Sequence, residues 1–200
     1  MQLDKIQLDF SIASYALDAK IALNLKPTPP TNSFRISTLV FVRDEKGRLL
    51  LLKRINPPNR GKWSPIGGKL DFDSGESPYE CAMRETLEEI NLEADESDFR
   101  LFGYVSEKSY DNTGHWLMFL FDCTRPMSSL PPNGPEGSFG FFYREEIEHL
   151  DIPGTDHQLI WPLYDKRSEG FSAIRADCSE LGQPTICEEG GTSRKIRPKG

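Results

Sequence analysis

The 200-residue chain has only four cysteines, and no two of them form a C-x-x-C pair. Cys81, Cys123, Cys178 and Cys187 therefore do not read as a zinc site, and their even number leaves a disulfide open without supporting one. No uninterrupted apolar run reaches the roughly eighteen residues that a membrane span needs. The N-terminus lacks both the basic start and the apolar stretch of a secretory signal, because Asp4, Asp9 and Asp18 interrupt it. Positive charge is in deficit: 24 Lys and Arg against 31 Asp and Glu give a net charge of −7 and a pI near 5.1. Such a balance excludes a nucleic-acid duplex as the expected partner. There is no internal repeat. These absences leave one domain with extensions, expected to be reduced and cytoplasmic and without a membrane partner. The oligomeric state stays open, a homodimer included.

What is present falls into three parts, placed at 1–33, 34–168 and 169–200. The first ends in Lys26-Pro27-Thr28-Pro29-Pro30, a stiff linker. Ahead of it, Ile6, Leu8, Phe10 and Ile12 alternate as in a strand, while Phe10, Leu17, Ile21 and Leu25 equally suit a helical face. The second part opens with strands over Arg35–Arg43 and Arg48–Arg54, joined by a hairpin turn at Asp44-Glu45-Lys46-Gly47. Further strands are expected over Phe99–Ser106, His115–Cys123 and Phe139–Tyr143, with a turn at Asp111-Asn112-Thr113-Gly114. Arg144–Leu150 and Asp156–Tyr164 read as short helices, the second disturbed by Pro162. From Glu169 the chain is polar and Gly-rich and ends in the basic Arg194-Lys195-Ile196-Arg197-Pro198-Lys199-Gly200. That part reads as a disordered tail or a surface arm. Strands mixed with few helices suggest a mixed sheet covered on both faces.

The most telling stretch begins at Gly67-Gly68 and runs to Arg84-Glu85-Thr86-Leu87-Glu88-Glu89. Ser77 is a good N-cap and Pro78 a good first helical residue. At about 100° per residue, Glu85, Glu88 and Glu89 fall within roughly 100° of one another. Met83, Leu87 and Ile90 recur at i, i+4 and i+7 on the opposite side, so they are expected to anchor the helix in a core. Clustered glutamates repel one another, and a hard divalent cation with its oxygen ligands removes that cost. An acidic helix after a glycine-rich loop thus points to a divalent metal and a phosphate-bearing substrate.

This stretch resembles the Nudix box: Gly, five residues, Glu, seven residues, then Arg-Glu-apolar-x-Glu-Glu-x-Gly-apolar. Gly68 stands as the first glycine, Glu76 as the first acid, and Arg84 to Leu92 as the remainder. The chain departs from the pattern in three ways. Seven residues separate Gly68 from Glu76, Thr86 replaces an apolar residue, and Asn91 replaces the glycine. The insertion lies in Leu70–Ser74, ahead of the helix, where added length is tolerated. Asn91 would be the helix C′, where Asn is the next-best residue for a left-handed conformation. No carboxylate is lost.

The resemblance implies an α/β fold, a Nudix-type α/β/α sandwich with a mixed β-sheet. It implies an enzyme acting on a phosphoanhydride in a nucleoside diphosphate linked to another group, with Mg²⁺ as cofactor and Mn²⁺ as its substitute. Carried over residue by residue, Glu85, Glu88 and Glu89 look like metal ligands, together with the Gly68 carbonyl. Arg84 and Glu76 look like orienting partners. A further acid from a later loop is matched by Glu136 in Gly134-Pro135-Glu136-Gly137. Candidate contacts to a nucleotide substrate are Trp63, Tyr110, His115 and Trp116, the aromatics for stacking and the histidine for phosphate. A nucleoside triphosphate diphosphatase is the leading expectation. An ADP-ribose, sugar-nucleotide or dinucleoside polyphosphate pyrophosphatase follows, and a non-catalytic nucleotide sensor is the alternative of another class.

Overall fold

The computed structural model describes residues 34–110, 114–180 and 184–190. The N-terminal segment with its strand-or-helix alternatives, the turn residues Asp111–Thr113 and the basic end Arg194–Gly200 lie outside the described residues. By its contacts the chain divides into Met1–Ser33 and Phe34–Gly200.

The hairpin turn forms where expected. Oδ1 of Asp44 accepts the N–H groups of Lys46 and Arg48 at 3.0 and 2.8 Å, and Gly47 takes a left-handed φ of +79°. Yet the two strands that it joins part company. β1 (Phe34–Phe41) runs parallel to β5 (His115–Cys123), whereas β2 (Leu49–Arg54) lies antiparallel between β3 (Trp63–Ser64) and β6 (Gly137–Phe142). The result is two sheets, ordered β3-β2-β6 and β1-β5-β4-β7-β8. In the second, β4 (Phe99–Lys108) pairs antiparallel to β5 and parallel to β7 (Ser172–Asp177), and β8 (Thr185–Glu188) closes the far edge. The chain after 169, read from its sequence as a tail or surface arm, therefore supplies two strands. Ile174 and Ala176 are buried and alternate with exposed Arg175, as a half-buried strand requires.

Helices cover both sides. α1 (Pro78–Ile90) packs Ala82 and Ile90 against Val40, Val42, Leu50, Leu52 and Phe121. α2 (Arg144–Ile147) is a single turn. α3 (Asp156–Asp165) continues through Pro162 and buries Leu159, Ile160, Trp161 and Tyr164 against Phe41, Val105 and Leu120. Alternate residues of β1 and β2 thus enter opposite cores, which makes an α/β/α sandwich on a mixed sheet.

α1 begins and ends as its sequence dictates. The Ser77 hydroxyl accepts the Glu80 N–H at 3.2 Å while the Glu80 carboxylate accepts the Ser77 N–H at 2.8 Å, a reciprocal cap. Asn91 ends the helix in the left-handed conformation, φ 51° and ψ 38°. The buried stripe is displaced from the expected one. Ala82, Thr86 and Ile90 face the core, while Leu87 is 47 % exposed. Thr86 is tolerated at 0 % exposure because its hydroxyl donates to the Ala82 carbonyl at 2.7 Å, leaving only its methyl to pack.

Candidate active site

The Gly68 segment is pinned along β1, where the Thr38 N–H donates to the Gly68 carbonyl and the Val40 N–H to the Ile66 carbonyl, both at 2.8 Å. This brings the glycines under α1. A Cβ on Gly68 would overlap the Glu85 carboxylate, so glycine lets that acid sit directly on the backbone. Gly67 has a φ of +137°, and its N–H donates to Glu89 at 3.2 Å. The Gly68 carbonyl accepts the Thr38 N–H at 2.8 Å and the Cys81 thiol at 3.7 Å, and Gly68 lines the same cleft as the α1 acids.

Arg84 organises the acids. Its guanidinium grips Glu76 with two bonds of 2.7 and 3.0 Å, and Nη1 reaches Glu85 at 2.7 Å and Glu88 at 3.1 Å. The Glu76 side chain is 7 % exposed, which makes this more than a loose surface pair. Bonding to Arg84 lowers the Glu76 pKa. The two inserted residues are absorbed in a tight turn. Asp71 Oδ1 accepts the Asp73 N–H at 3.0 Å, and the Asp71 N–H donates to Glu76 at 2.8 Å. The insertion therefore does not displace Glu76 from Arg84.

Glu85 and Glu89 lie on the flank of α1 between its buried and exposed sides. Burial raises the Glu85 pKa despite the opposing pull of Arg84. Burial, reinforced by Glu85 and Glu136 and opposed by the Gly67 N–H and Arg54, pushes Glu89 up from 4.5 to about 7. Exposed Glu88 completes the face. The chemistry of this donor set, three carboxylates on one helix face, suits a hard, oxygen-binding cation. Among the described residues the acids are not drawn together into a closed metal cage, because Arg84 and Gly67 hold them individually.

These groups form one wall of a cleft of about 770 Å³. Glu136 lines the same cleft, near enough to Glu89 for its charge to raise that acid, and accepts from Asn56 at 3.4 Å. Arg54 and Lys69 line it as well, two cations that the sequence reading did not select. Arg54 ends β2, and its position beside the acidic helix follows only from the pairing of β2 with β6. Of the aromatic candidates, Tyr110 and Trp116 line the cleft. Tyr110 donates its hydroxyl to Asn59 at 3.0 Å, and the Arg35 guanidinium lies 5.2 Å from the Trp116 ring centre.

Trp63 and His115 are placed elsewhere. In β3 successive side chains face opposite ways, so Ser64 lines the cleft while Trp63 packs on Phe142 at 4.9 Å. His115 Nδ1 accepts the Ser109 N–H at 3.1 Å, and its ring lies 5.7 Å from that of Phe34. It serves the β4–β5 turn. Two acids that the sequence reading overlooked, Glu107 and Asp156, occupy the cleft instead. Glu107 follows Val105 on the inward parity of β4, a detectable signal.

An acidic helix beside a glycine-rich loop, lining a cleft in an α/β/α sandwich, is the arrangement expected of a hydrolase of pyrophosphate bonds, and the family comparison bears that class out. The NUDIX domain model matches residues 33–162, and the chain belongs to that family, which generally uses a divalent metal and takes small nucleotide substrates. Among solved structures, a MutT protein from Bacillus halodurans is similar at TM-score 0.61 and 23 % identity, covering 78 % of this chain and 97 % of its own. The MutT protein from Methanosarcina mazei Go1 gives TM-score 0.55 and 23 % identity, covering 69 % and 95 %. The NUDIX domain of Shewanella oneidensis NrtR, solved with ADP ribose, gives TM-score 0.54 and 17 % identity, covering 75 % and 97 %. At these identities the likeness concerns the fold. No helix among the described residues is long and apolar enough to cross a membrane.

Proposed function

We propose that this cleft hydrolyses the phosphoanhydride of a nucleoside diphosphate linked to a further group, with a nucleoside triphosphate as the leading substrate. The observation that carries this reading is the assembly of Glu85, Glu88, Glu89 and Glu136 around one cleft that also holds Arg54 and Lys69. Glu85, Glu88 and Glu89 would hold Mg²⁺, or Mn²⁺ in its place. Such an ion, when bound, neutralises charge on phosphate oxygens and positions a water for in-line displacement. Arg84 keeps Glu85 and Glu88 oriented on the α1 face, and Glu76 keeps Arg84 oriented in turn. Arg54 and Lys69 balance the remaining phosphate charge from the cleft wall. Glu136, whose charge reaches Glu89 from the cleft lining, serves either as a further oxygen ligand or as acceptor of a proton from the attacking water. The complete set of acids favours turnover over a sensor that binds without reacting. Purified protein with Mg²⁺ or Mn²⁺ should hydrolyse a member of a panel of nucleoside triphosphates, ADP-ribose, sugar nucleotides and dinucleoside polyphosphates. It should be silent in chelator, and activity that survives chelation would overturn this reading.

A further inference from the structure

Arg54 and Glu136 bring opposite charges into one cleft. Burial aside, Arg54 pulls the Glu89 pKa down and Glu136 pushes it up, so both lie within electrostatic reach of that acid. Free to meet, a guanidinium and a carboxylate pair with each other, and each then has less left for a substrate or an ion. Here each is held by a neutral group instead. Arg54 Nε donates to the Pro58 carbonyl at 3.0 Å, and Glu136 Oε2 accepts from Asn56 Nδ2 at 3.4 Å. Both anchors belong to the loop that leaves β2 at Arg54.

That loop is fastened along its length. The Ile55 N–H donates to the Glu136 carbonyl at 3.0 Å, and the same Asn56 Nδ2 donates to the Pro135 carbonyl at 3.1 Å. Further on, Asn59 accepts the Tyr110 hydroxyl at 3.0 Å. The turn that carries Glu136 is equally fixed. Gly134 and Gly137 exchange N–H and carbonyl bonds of 3.0 and 3.2 Å across it. Gly137 has a φ of +152°, and a Cβ there would overlap the Lys53 carbonyl, so glycine lets the turn lie directly on β2. Backbone bonds therefore place the main chain of Glu136. Among the described residues, Asn56 is the one whose hydrogen bond reaches its carboxylate.

The chemistry of an amide suits that task. Both partners of Asn56 Nδ2 are acceptors, which sets the nitrogen of the amide, and not its oxygen, on that side. A neutral donor orients a carboxylate without cancelling its charge. A lysine or arginine at this position would pair with Glu136 and compete with any cation or water for it, and an aspartate would repel it. We infer that Asn56 is a positioning residue of the reaction, holding the Glu136 carboxylate in one orientation and apart from Arg54, with its charge uncancelled. The inference rests on the hydrolase reading, in which Glu136 serves as an oxygen ligand or as a proton acceptor.

A double-mutant cycle tests this with saturating Mg²⁺ and the nucleotide that the parent protein hydrolyses best. Asn56→Ala should lower kcat about three- to tenfold, the worth of one ordinary hydrogen bond, with KM changed less than about twofold. Asn56→Asp keeps the shape but sets a second carboxylate beside Glu136, and should lower kcat at least about tenfold. In the Glu136→Gln protein, Asn56→Ala should change kcat less than about twofold, because no carboxylate remains for Asn56 to orient. A residue that only staples the loop would cost the same factor in both backgrounds, and such additivity would overturn the inference. So would an unchanged kcat in Asn56→Ala and Asn56→Asp, or in Glu136→Gln, which would take Glu136 out of the chemistry. A second readout needs neither metal nor turnover. The Asn56 side-chain amide is identified by the NMR signals lost in Asn56→Ala, and in chelator those signals should shift on Glu136→Gln. Signals that stay in place would overturn the contact itself. If the parent hydrolyses no nucleotide with Mg²⁺ or Mn²⁺, the hydrolase reading fails and the positioning role falls with it, whereas an active parent with an additive cycle fails the inference alone.

Discussion

Replacing Glu89 with Gln should make the metal-free protein more stable while removing its activity. Burial and neighbouring acids raise the Glu89 pKa from 4.5 to about 7 in the folded chain. A group raised in this way contributes stability that is fully present below its unfolded pKa and lost as pH rises through its folded one. The window is therefore about pH 4.5 to 7. At about 1.4 kcal/mol per tenfold change in proton affinity, ionised Glu89 costs the metal-free fold at most about 3 kcal/mol at pH 8. Water entering the cleft relaxes part of that, so a gain of about 1–3 kcal/mol is expected for Glu89→Gln. For a chain of this size that corresponds to about 3–10 °C in Tm. The Gln carbonyl oxygen can still accept the Gly67 N–H, so the backbone contact survives. Thermal melts in chelator at pH 8 and near pH 4.5 measure the effect, which should be large at the first and close to zero at the second. Added Mg²⁺ should reverse the order, stabilising the parent more than the variant. Steady-state rates should fall by at least a hundredfold, because charge neutralisation worth several kcal/mol is lost. A Glu89→Gln protein that melts at or below the parent at pH 8 in chelator would refute the reasoning, since Glu89 would then be supporting the fold rather than straining it.

Two further expectations are simpler. Glu136→Gln should lower kcat tenfold or more with saturating metal, within the usual range of about 10²–10⁴ for proton-transfer groups, and an unchanged rate would return Glu136 to the protein surface. On α1, Ile90→Ala should cost about 2–5 kcal/mol by chemical denaturation, whereas exposed Leu87→Ala should cost less than about 1 kcal/mol. The opposite ranking would restore the Met83–Leu87–Ile90 face as the buried one.

Much of α1 could be read in advance because its ends are fixed by local chemistry. The Ser77–Glu80 cap and the left-handed Asn91 need no knowledge of the rest of the chain. The rotation of its buried face could not be read so easily. Thr86 is polar by composition, yet its hydroxyl is satisfied by Ala82 within the helix, so it buries like a small apolar residue while Leu87 turns outward. Trp63 misled for a reason of parity. In a two-residue strand neither face is marked by repetition, and the pairing Lys53↔Trp63 decides which residue meets the cleft. The β1–β2 turn was legible, but the entry of its two strands into separate sheets depends on partners far away in sequence. Glu107 was visible as a charge at an inward position of β4, but that Asp156 at the start of α3 lies close enough to feel that charge depends on the packing of a helix distant in sequence.

The place of β7 has a consequence for how the molecule is made. β4 is complete at Lys108, but the strand that covers its outer edge begins at Ser172. On a ribosome, at about 5–20 residues per second, that edge stays open for several seconds after its own synthesis, with its backbone donors and acceptors available to any passing strand. The acidic helix and both walls of the cleft have emerged by then, so the order of synthesis builds the reactive centre first and seals the sheet last. A chain stopped at Ser168 would carry every acid of the cleft and yet present an unpaired β4 edge, the feature that leads to self-association. Sequence that contributes no side chain to the chemistry thus governs whether the enzyme stays dispersed long enough to perform it.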